Sequence, residues 1–412
     1  KLMERALAIE PGNATIHFHC GNALHALHRP VDALASYEQA IASRSGYVEA
    51  HFGRATMLRA LGRHAEALAT YNYVITLEPR HADAFNNRGN VLKQCGRLEE
   101  ALASYERAIA LNPAHAGAHN NRGNLLLRMG RLKEALDSFD AAIALKPARS
   151  EFHVNRGMAL HESGNLAEAI ASYGRAMVIQ SAHAGAHWNR SLSLLLAGAF
   201  EEGWAEHEWR WKTAAFENMR RKFPQPRWTG NEPLAGKTIL LYAEQGYGDT
   251  LQFFRYARLV HDLGARVLLE VPVPMVTLVR GQPGINKVIA KGRSIPPFDY
   301  HSPLASLPLA FRTLHDTIPS GNPYLSARED RRNAFNSLLG LKTAPRIGLV
   351  WQGNPVHGND HNRSVTLATL LRHLPDGFDY VSLQKDVGST DMAILANRGI
   401  RHYGDRLVEF AD

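Results

Sequence analysis

The chain has 412 residues, 45% hydrophobic and 21% charged, with a formal net charge of +8 at pH 7. That length predicts two or three domains with ample core, and the ordinary hydrophobic content excludes a disordered or fibrous polypeptide. The basic balance favours an anionic partner, but Lys and Arg are spread along the chain rather than gathered in tracts, which argues against nucleic acid.

Cys20 and Cys95 fall in different parts of a repeating pattern, so no disulfide is expected and a reducing, cytoplasmic setting is. The longest apolar stretch, near Leu192–Phe200, is far too short to span a membrane. The chain opens on Lys1 in the middle of a repeat, so it reads as a fragment, and whether a signal precedes it stays open.

A period of 34 residues governs the chain from its start to about residue 217. It links Gly21, Ala55, Gly89, Gly123, Gly157 and Ser191, and likewise Ala33, Ala67, Ala101, Ala135, Ala169 and Gly203. It links Tyr37, Tyr71, Tyr105, Phe139, Tyr173 and His207. Pro11, Pro79, Pro113 and Pro147 share a column, and Gly62, Gly96, Gly130, Gly164 and Gly198 mark a turn inside each unit. Small residues at a helix crossing, an aromatic on the second helix and an exit proline resemble the tetratricopeptide pattern. The expectation is an α-solenoid over residues 1–217: a trailing half unit, five full units from Ala14 to His183, and a degenerate sixth. Trp204, Trp209 and Trp211 are expected to cap it.

Two further columns carry functional expectations. Asn87, Asn121, Asn155 and Asn189 sit two residues before the glycine column, on or near the concave side. A row of carboxamides can pair with the backbone of an extended peptide, since each offers donor and acceptor; the alternative is a role in stacking the units. His17, His51, His119, His153 and His187 form a second column, with Phe85 in its gap. Units about 10 Å apart are too distant to share a metal with ligand bonds of about 2 Å, so these are packing positions.

Residues 218–236 read as a linker containing Phe223-Pro-Gln-Pro-Arg-Trp228, expected to lie as an ordered strap because its aromatic residues avoid water. Beyond it, strands and helices alternate, which predicts parallel sheet. The expected elements are strand 238–243, helix 249–263, strand 266–271, helix 274–281 and strands 286–290 and 297–300. Then come helix 328–340, strand 346–351, loop 352–363, helix 366–374, strand 380–384, helix 392–397 and strand 400–403. Residues 237–327 and 328–412 form two α/β halves, the second stopping short.

The segment Lys237–Phe254 runs from an apolar strand through Glu244-Gln245-Gly246-Tyr247-Gly248 into a helix opened by Asp249. Glycines and a helix N-terminus make an anion site. A dinucleotide fingerprint is incomplete, with Leu251 where a third glycine belongs, although Glu270 ends the next strand where a ribose-binding acid would sit. No Gly-Lys-Ser/Thr follows, which excludes a Walker loop.

The segments EQGYGDTLQFFRYA, FDYHSPLASLPLAF and IGLVWQGNPVHGNDHNRS, in this order behind the repeats, resemble bacterial tetratricopeptide-repeat glycosyltransferases. That family is similar to heptosyltransferases and, more distantly, to O-linked N-acetylglucosamine transferase. The resemblance implies a GT-B fold of two Rossmann-like halves and an inverting hexosyl or heptosyl transfer from a nucleotide sugar, a co-substrate, with no further cofactor. The acceptor would be a protein or peptide recruited by the repeats. The resemblance places the general base at Asp249, with His301 as a second acid/base or acceptor-binding candidate. It places the nucleotide sugar near Gly246 and Gly248 and, in the second half, near Gln352, Asn354, Arg363, Ser364, Gln384 and Lys385. No Asp-x-Asp motif is present, so protein cations rather than a metal are expected to hold the diphosphate. The family's main base- and phosphate-binding segment corresponds to positions beyond Asp412, so this polypeptide is expected to lack much of its donor site. The rival reading is a non-catalytic tetratricopeptide scaffold with a degenerate α/β body.

Overall fold

The computed structural model describes residues 9–320, 324–341, 344–353, 360, 363–407 and 409. The chain divides into two compact units, Lys1–Arg220 and Arg221–Asp412.

The first unit is a stack of helix pairs. In chain order the helices are α1 (Ala14–Ala26), α2 (Pro30–Ser43), α3 (Val48–Ala60), α4 (His64–Leu77), α5 (Ala82–Gln94) and α6 (Leu98–Leu111). They continue as α7 (Ala116–Arg128), α8 (Leu132–Leu145), α9 (Ser150–Glu162), α10 (Leu166–Ile179), α11 (Ala184–Leu196) and α12 (Phe200–His207). The small-residue column and the aromatic column meet inside each pair. A Cβ added at Gly89 would stand 2.6 Å from the Tyr105 ring, and one at Gly123 would stand 2.6 Å from Phe139. The rings pack onto bare backbone, and Tyr105 and Phe139 are fully buried. The turn glycines, from Gly62 to Gly198, take φ between +74° and +81°, the left-handed conformation that ends a helix without Cβ strain.

The histidine column closes turns. Nε2 of His17, His51, His119, His153 and His187 each meets a backbone carbonyl six residues earlier, at 2.7–3.0 Å. At the end of the stack Trp209 lies flat on His187, with ring centroids 3.7 Å apart. The His207 imidazole, in the aromatic column, is buried against the Arg210 guanidinium, and burial pushes its pKa down to about 3.

The second unit begins with a strap. Arg221 pairs with Glu270, Phe223 packs on Tyr242 and Phe298, and Trp228 is buried with its Nε1 donating to the Glu232 carbonyl at 3.0 Å. Gly230 follows with φ +98°, where a Cβ would strike the Ala310 carbonyl. The strap then leads into a parallel sheet of β1 (Thr238–Tyr242), β2 (Arg266–Val271), β3 (Lys287–Ala290) and β4 (Tyr300–Pro303), in the order β3-β2-β1-β4. Leu240 stands opposite Leu268 on one side and His301 on the other. Leu240, Tyr242, Leu268 and Ile289 share a core with Phe223, Ile295 and Phe298, so the strap covers this face. The strap also closes the β4 edge. His301 N–H donates to the Pro226 carbonyl, and Trp228 N–H donates to the His301 carbonyl. A second parallel sheet, β5 (Arg346–Leu349), β6 (Asp379–Ser382) and β7 (Arg401–His402), has the order β5-β6-β7.

Several boundaries differ from the sequence-based expectation. The helix expected over 249–263 is two helices, Tyr247–Phe254 and Tyr256–Asp262, separated at Arg255. The segment expected as helix 274–281 is a 3-10 turn, Val273–Met275, and one short helical turn, Val276–Val279. The strand expected at 297–300 lies at Tyr300–Pro303 instead, because Pro296 and Pro297 have no N–H for the ladder.

Candidate functional site

In the repeat unit the first helices of successive pairs touch one another, α3 to α5, α5 to α7, α7 to α9 and α9 to α11, which makes them the inner layer of the stack. The predicted Asn column lies there, half-buried. Asn121 Nδ2 donates to Asn86 Oδ1 at 2.9 Å, and Asn155 Nδ2 donates to Asn120 Oδ1 at 2.8 Å. Asn87 Oδ1 accepts from Asn86 Nδ2 at 3.1 Å. Asn121 and Asn155 each tie one unit to the last through one N–H, while an amide offers a second N–H and two lone pairs for other partners. Asn189 has Val154 at the equivalent position of the preceding unit, so that tie does not recur there.

A column beside it went unremarked in the sequence: Arg54, Arg88, Arg122, Arg156 and Arg190. These side chains staple helices together. Arg156 bonds Asp140 on the preceding unit at 2.6 Å and Ser172 on its own second helix at 2.9 Å. Arg54 does the same with Glu38 and Thr70. Its 34-residue recurrence was the available signal.

In the second unit the β3-β2-β1-β4 order puts a topological switch between β1 and β4, and ligands of open parallel sheets sit beyond the strand ends at such a point. The β1 end leads through buried Glu244 to Gly246, Tyr247, Gly248 and Asp249. Asp249 Oδ2 accepts from Gly246 N–H at 3.2 Å, so this carboxylate caps its own helix. A Cβ at Gly248 would meet nothing within 4 Å, and one at Gly246 would meet only Asp249 Oδ2 at 3.5 Å, so space lies open above the turn.

His301 is within β4, not after it as expected, and it is 8% exposed. Its ring packs 4.9 Å from Phe223 and 5.9 Å from Tyr242. Burial, then the Arg227 and Arg221 charges, push its pKa down to about 4, so it is neutral at pH 7. Among the described residues no hydrogen bond joins it to Asp249; one lies under the strap, the other at a helix end. Glu270 is engaged by Arg221, a partner 49 residues away that the sequence did not reveal.

At the ends of β5 and β6, Gln384 is buried and engaged at both ends of its amide. Its Oε1 accepts from Trp351 N–H and Gln352 N–H, both at 3.1 Å, and its Nε2 donates to the Gln352 carbonyl at 3.1 Å. Ser364 Oγ accepts from Gly353 N–H at 2.8 Å and donates to Asp360 Oδ1 at 2.9 Å. These side chains shape the loop. Arg363 and Lys385 are exposed cations beside it. Asn354 lies outside the described residues.

Tetratricopeptide-repeat family models match residues 21–82, 70–103, 89–130 and 120–184. Protein FlbA of Caulobacter vibrioides is 26% identical over 174 residues, 38% of this chain and 29% of that protein. The chain therefore spans under a third of that relative. Among solved structures, YrrB, described as a TPR protein with an unusual peptide-binding site, is 24% identical. The match covers 45% of this chain and 96% of YrrB, with a TM-score of 0.37. Pseudomonas aeruginosa PilF is 16% identical over 52% of this chain and 95% of its own, with a TM-score of 0.45. Among the described residues no helix is long and apolar enough to cross a membrane. The stacked helix pairs across residues 21–184 are tetratricopeptide repeats.

Proposed function

We propose that the chain is a protein-interaction scaffold whose repeat unit holds an extended peptide along its inner helices. The half-buried carboxamide column carries this reading: Asn121 and Asn155 spend one N–H on stacking and keep hydrogen-bonding capacity on the inner layer. Backbone recognition of this kind tolerates many side chains and suits a recruiting arm. The test is selection of binders from a random peptide library on the full chain, then fluorescence anisotropy on Asn121→Ala with Asn155→Ala. A drop of about tenfold in affinity, roughly 1.4 kcal/mol, is expected. Unchanged affinity with an intact helical signal sinks the groove.

A second reading, a nucleotide-sugar glycosyltransferase of GT-B type, is favoured by the switch-point crevice with its open glycine turn. In this reading the acceptor oxygen attacks the anomeric carbon and the bond to the nucleoside diphosphate breaks. Asp249 takes the acceptor proton. Arg363 and Lys385 offset the charge of the departing diphosphate. Asp249 is the better base than His301, which Phe223 covers. The test is release of nucleoside diphosphate from UDP-, GDP- and ADP-sugars in the presence of protein acceptor. Asp249→Asn is expected to lose more than tenfold in rate, above about 1.4 kcal/mol in barrier. No release from any donor by folded protein leaves the scaffold reading alone.

A further inference from the structure

The repeat unit neutralises most of its inner cations. Arg54 meets Glu38, Arg122 meets Glu106, Arg156 meets Asp140, and Arg190 meets Glu202 and Glu206. Arg88 meets the neutral Ser104 and Asn72 instead, and one cluster departs further: Arg59 at the end of α3, Lys93 at the end of α5 and Arg128 at the end of α7. Among the described residues no carboxylate pairs with any of the three. Arg59 Nε is also buried without a hydrogen-bond partner there.

The register of the stack brings these groups together. The Asn86–Asn121 hydrogen bond joins residues 35 apart across the α5/α7 seam. Lys93 and Arg128 are also 35 apart and stand seven residues further along the same two helices. Seven residues is about two turns, so they return to the same seam. Arg59 occupies the Lys93 position one unit earlier. Burial lowers the Lys93 pKa, and the Arg128 and Arg59 charges lower it further. Like charges held side by side cost stability; Arg59 bonds the Tyr71 hydroxyl within its own unit, but among the described residues no hydrogen bond or ion pair does the same for Lys93 or Arg128. The neighbouring polar groups are neutral: the Tyr105 hydroxyl donates to Asn90 Oδ1 at 2.8 Å, and the Tyr71 hydroxyl is shared between Thr56 and Arg59.

We propose that Arg59, Lys93 and Arg128 form a subsite for acidic side chains of an extended peptide lying along the inner helices. This rests on the peptide-binding reading above and names its preferred partner. Helix axes in neighbouring units lie about 10 Å apart, so the three positions span about 20 Å, which an extended chain crosses in about six residues. The partner is therefore a short acidic segment with several Asp or Glu side chains, met by amides along its backbone and by cations at its charges.

The test uses the full chain and two fluorescein-labelled peptides of about ten residues, enough to cover that span: one of alternating Ser and Glu, the other with Gln for every Glu. The wild type is expected to bind the acidic peptide at least about tenfold more tightly, with an advantage that shrinks as salt is raised. Lys93→Gln with Arg128→Gln, both at solvent-reaching positions, is expected to remove that preference without lowering the thermal melt, since the mutual repulsion is relieved. Equal binding of both peptides by the wild type overturns the acidic subsite while leaving the groove standing. Failure of the acidic peptide to bind overturns both. Undiminished preference in the double variant overturns the assignment to these residues, and equally tight binding of an oligothymidylate of the same charge overturns the peptide partner.

Discussion

Replacing Arg221 by Met leaves the Glu270 carboxylate without its cation inside the sheet. Glu270 is 4% exposed and stands in register between Tyr242 and Ile289. The Arg221 guanidinium lies 4.7 Å over Phe223 and 5.4 Å over Tyr242, so the pair is roofed by the strap. Removing one partner of a buried pair costs about 3–5 kcal/mol. The Arg221 side chain is 32% exposed, so solvent reaches its side of the pair. The expected loss is therefore about 2–3 kcal/mol. Adding Glu270→Gln removes the orphaned charge and should restore roughly 1–2 kcal/mol, the signature of direct coupling. Urea unfolding of the full chain measures the loss, and hydrogen exchange read by mass spectrometry locates it in residues 238–271. A cost below about 0.5 kcal/mol, the worth of a surface ion pair, refutes the argument. So does a double variant no more stable than Arg221→Met.

Three other outcomes are expected. Phe139→Ala removes a fully buried ring seated on Gly123 and should cost about 3–5 kcal/mol by thermal or urea unfolding; a loss under about 1 kcal/mol means the aromatic column does not hold the pair together. His301 has its folded pKa depressed to about 4, against about 6.5 when unfolded. The unfolded state then binds more protons between those values. Stability should be complete above pH 6.5 and fall by roughly 2–3 kcal/mol as pH drops towards 4. His301→Gln should lose that component of the slope, and an identical pH profile in the variant contradicts the burial argument. Asp249→Ala should cost about 1 kcal/mol as a lost helix cap, whereas Asp249→Asn keeps an acceptor for Gly246 N–H and should stay within about 0.5 kcal/mol; equal losses would show that the hydrogen bond is not what matters.

The repeat unit was legible because its causes are local and recur. Gly123 and Phe139 announce their contact through a spacing that returns in neighbouring units, and the turn glycines mark positions that demand positive φ. The parallel sheet was legible from the apolar runs at Ile239–Tyr242 and Val267–Val271. What escaped is set by long-range pairing. The prolines at 296 and 297 push β4 three residues on, which carries His301 from beyond a strand end into the strand, under Phe223. Arg221 and Glu270 have no local signature of their partnership. Gln384 looked like a phosphate ligand at a strand end, but both ends of its amide are spent holding Trp351 and Gln352 in place.

Recurrence in a stacked array reports what stacking needs, and this bears on where function lies. The histidine column recurs because each imidazole closes a turn on a carbonyl six residues back. The arginine column recurs because its guanidinium groups tie helices together, those of Arg54, Arg88 and Arg156 each bridging three. Even the asparagines are partly accounted for by ties between units, which is why their role in binding needs a variant that separates the two. The residues with least structural reason to be there are those that break the pattern. The column holding Arg59 and Lys93 contains His25 before them and Leu127 and His161 after them. Arg128, one place on, is followed a unit later by Glu162. A cationic cluster confined to the middle units, unanswered where the arginine column mostly meets acid, is better explained by an external anion than by the fold. The peptide experiment with Lys93→Gln and Arg128→Gln therefore tests more than one subsite: it tests whether binding preference in this array resides in departures from its period.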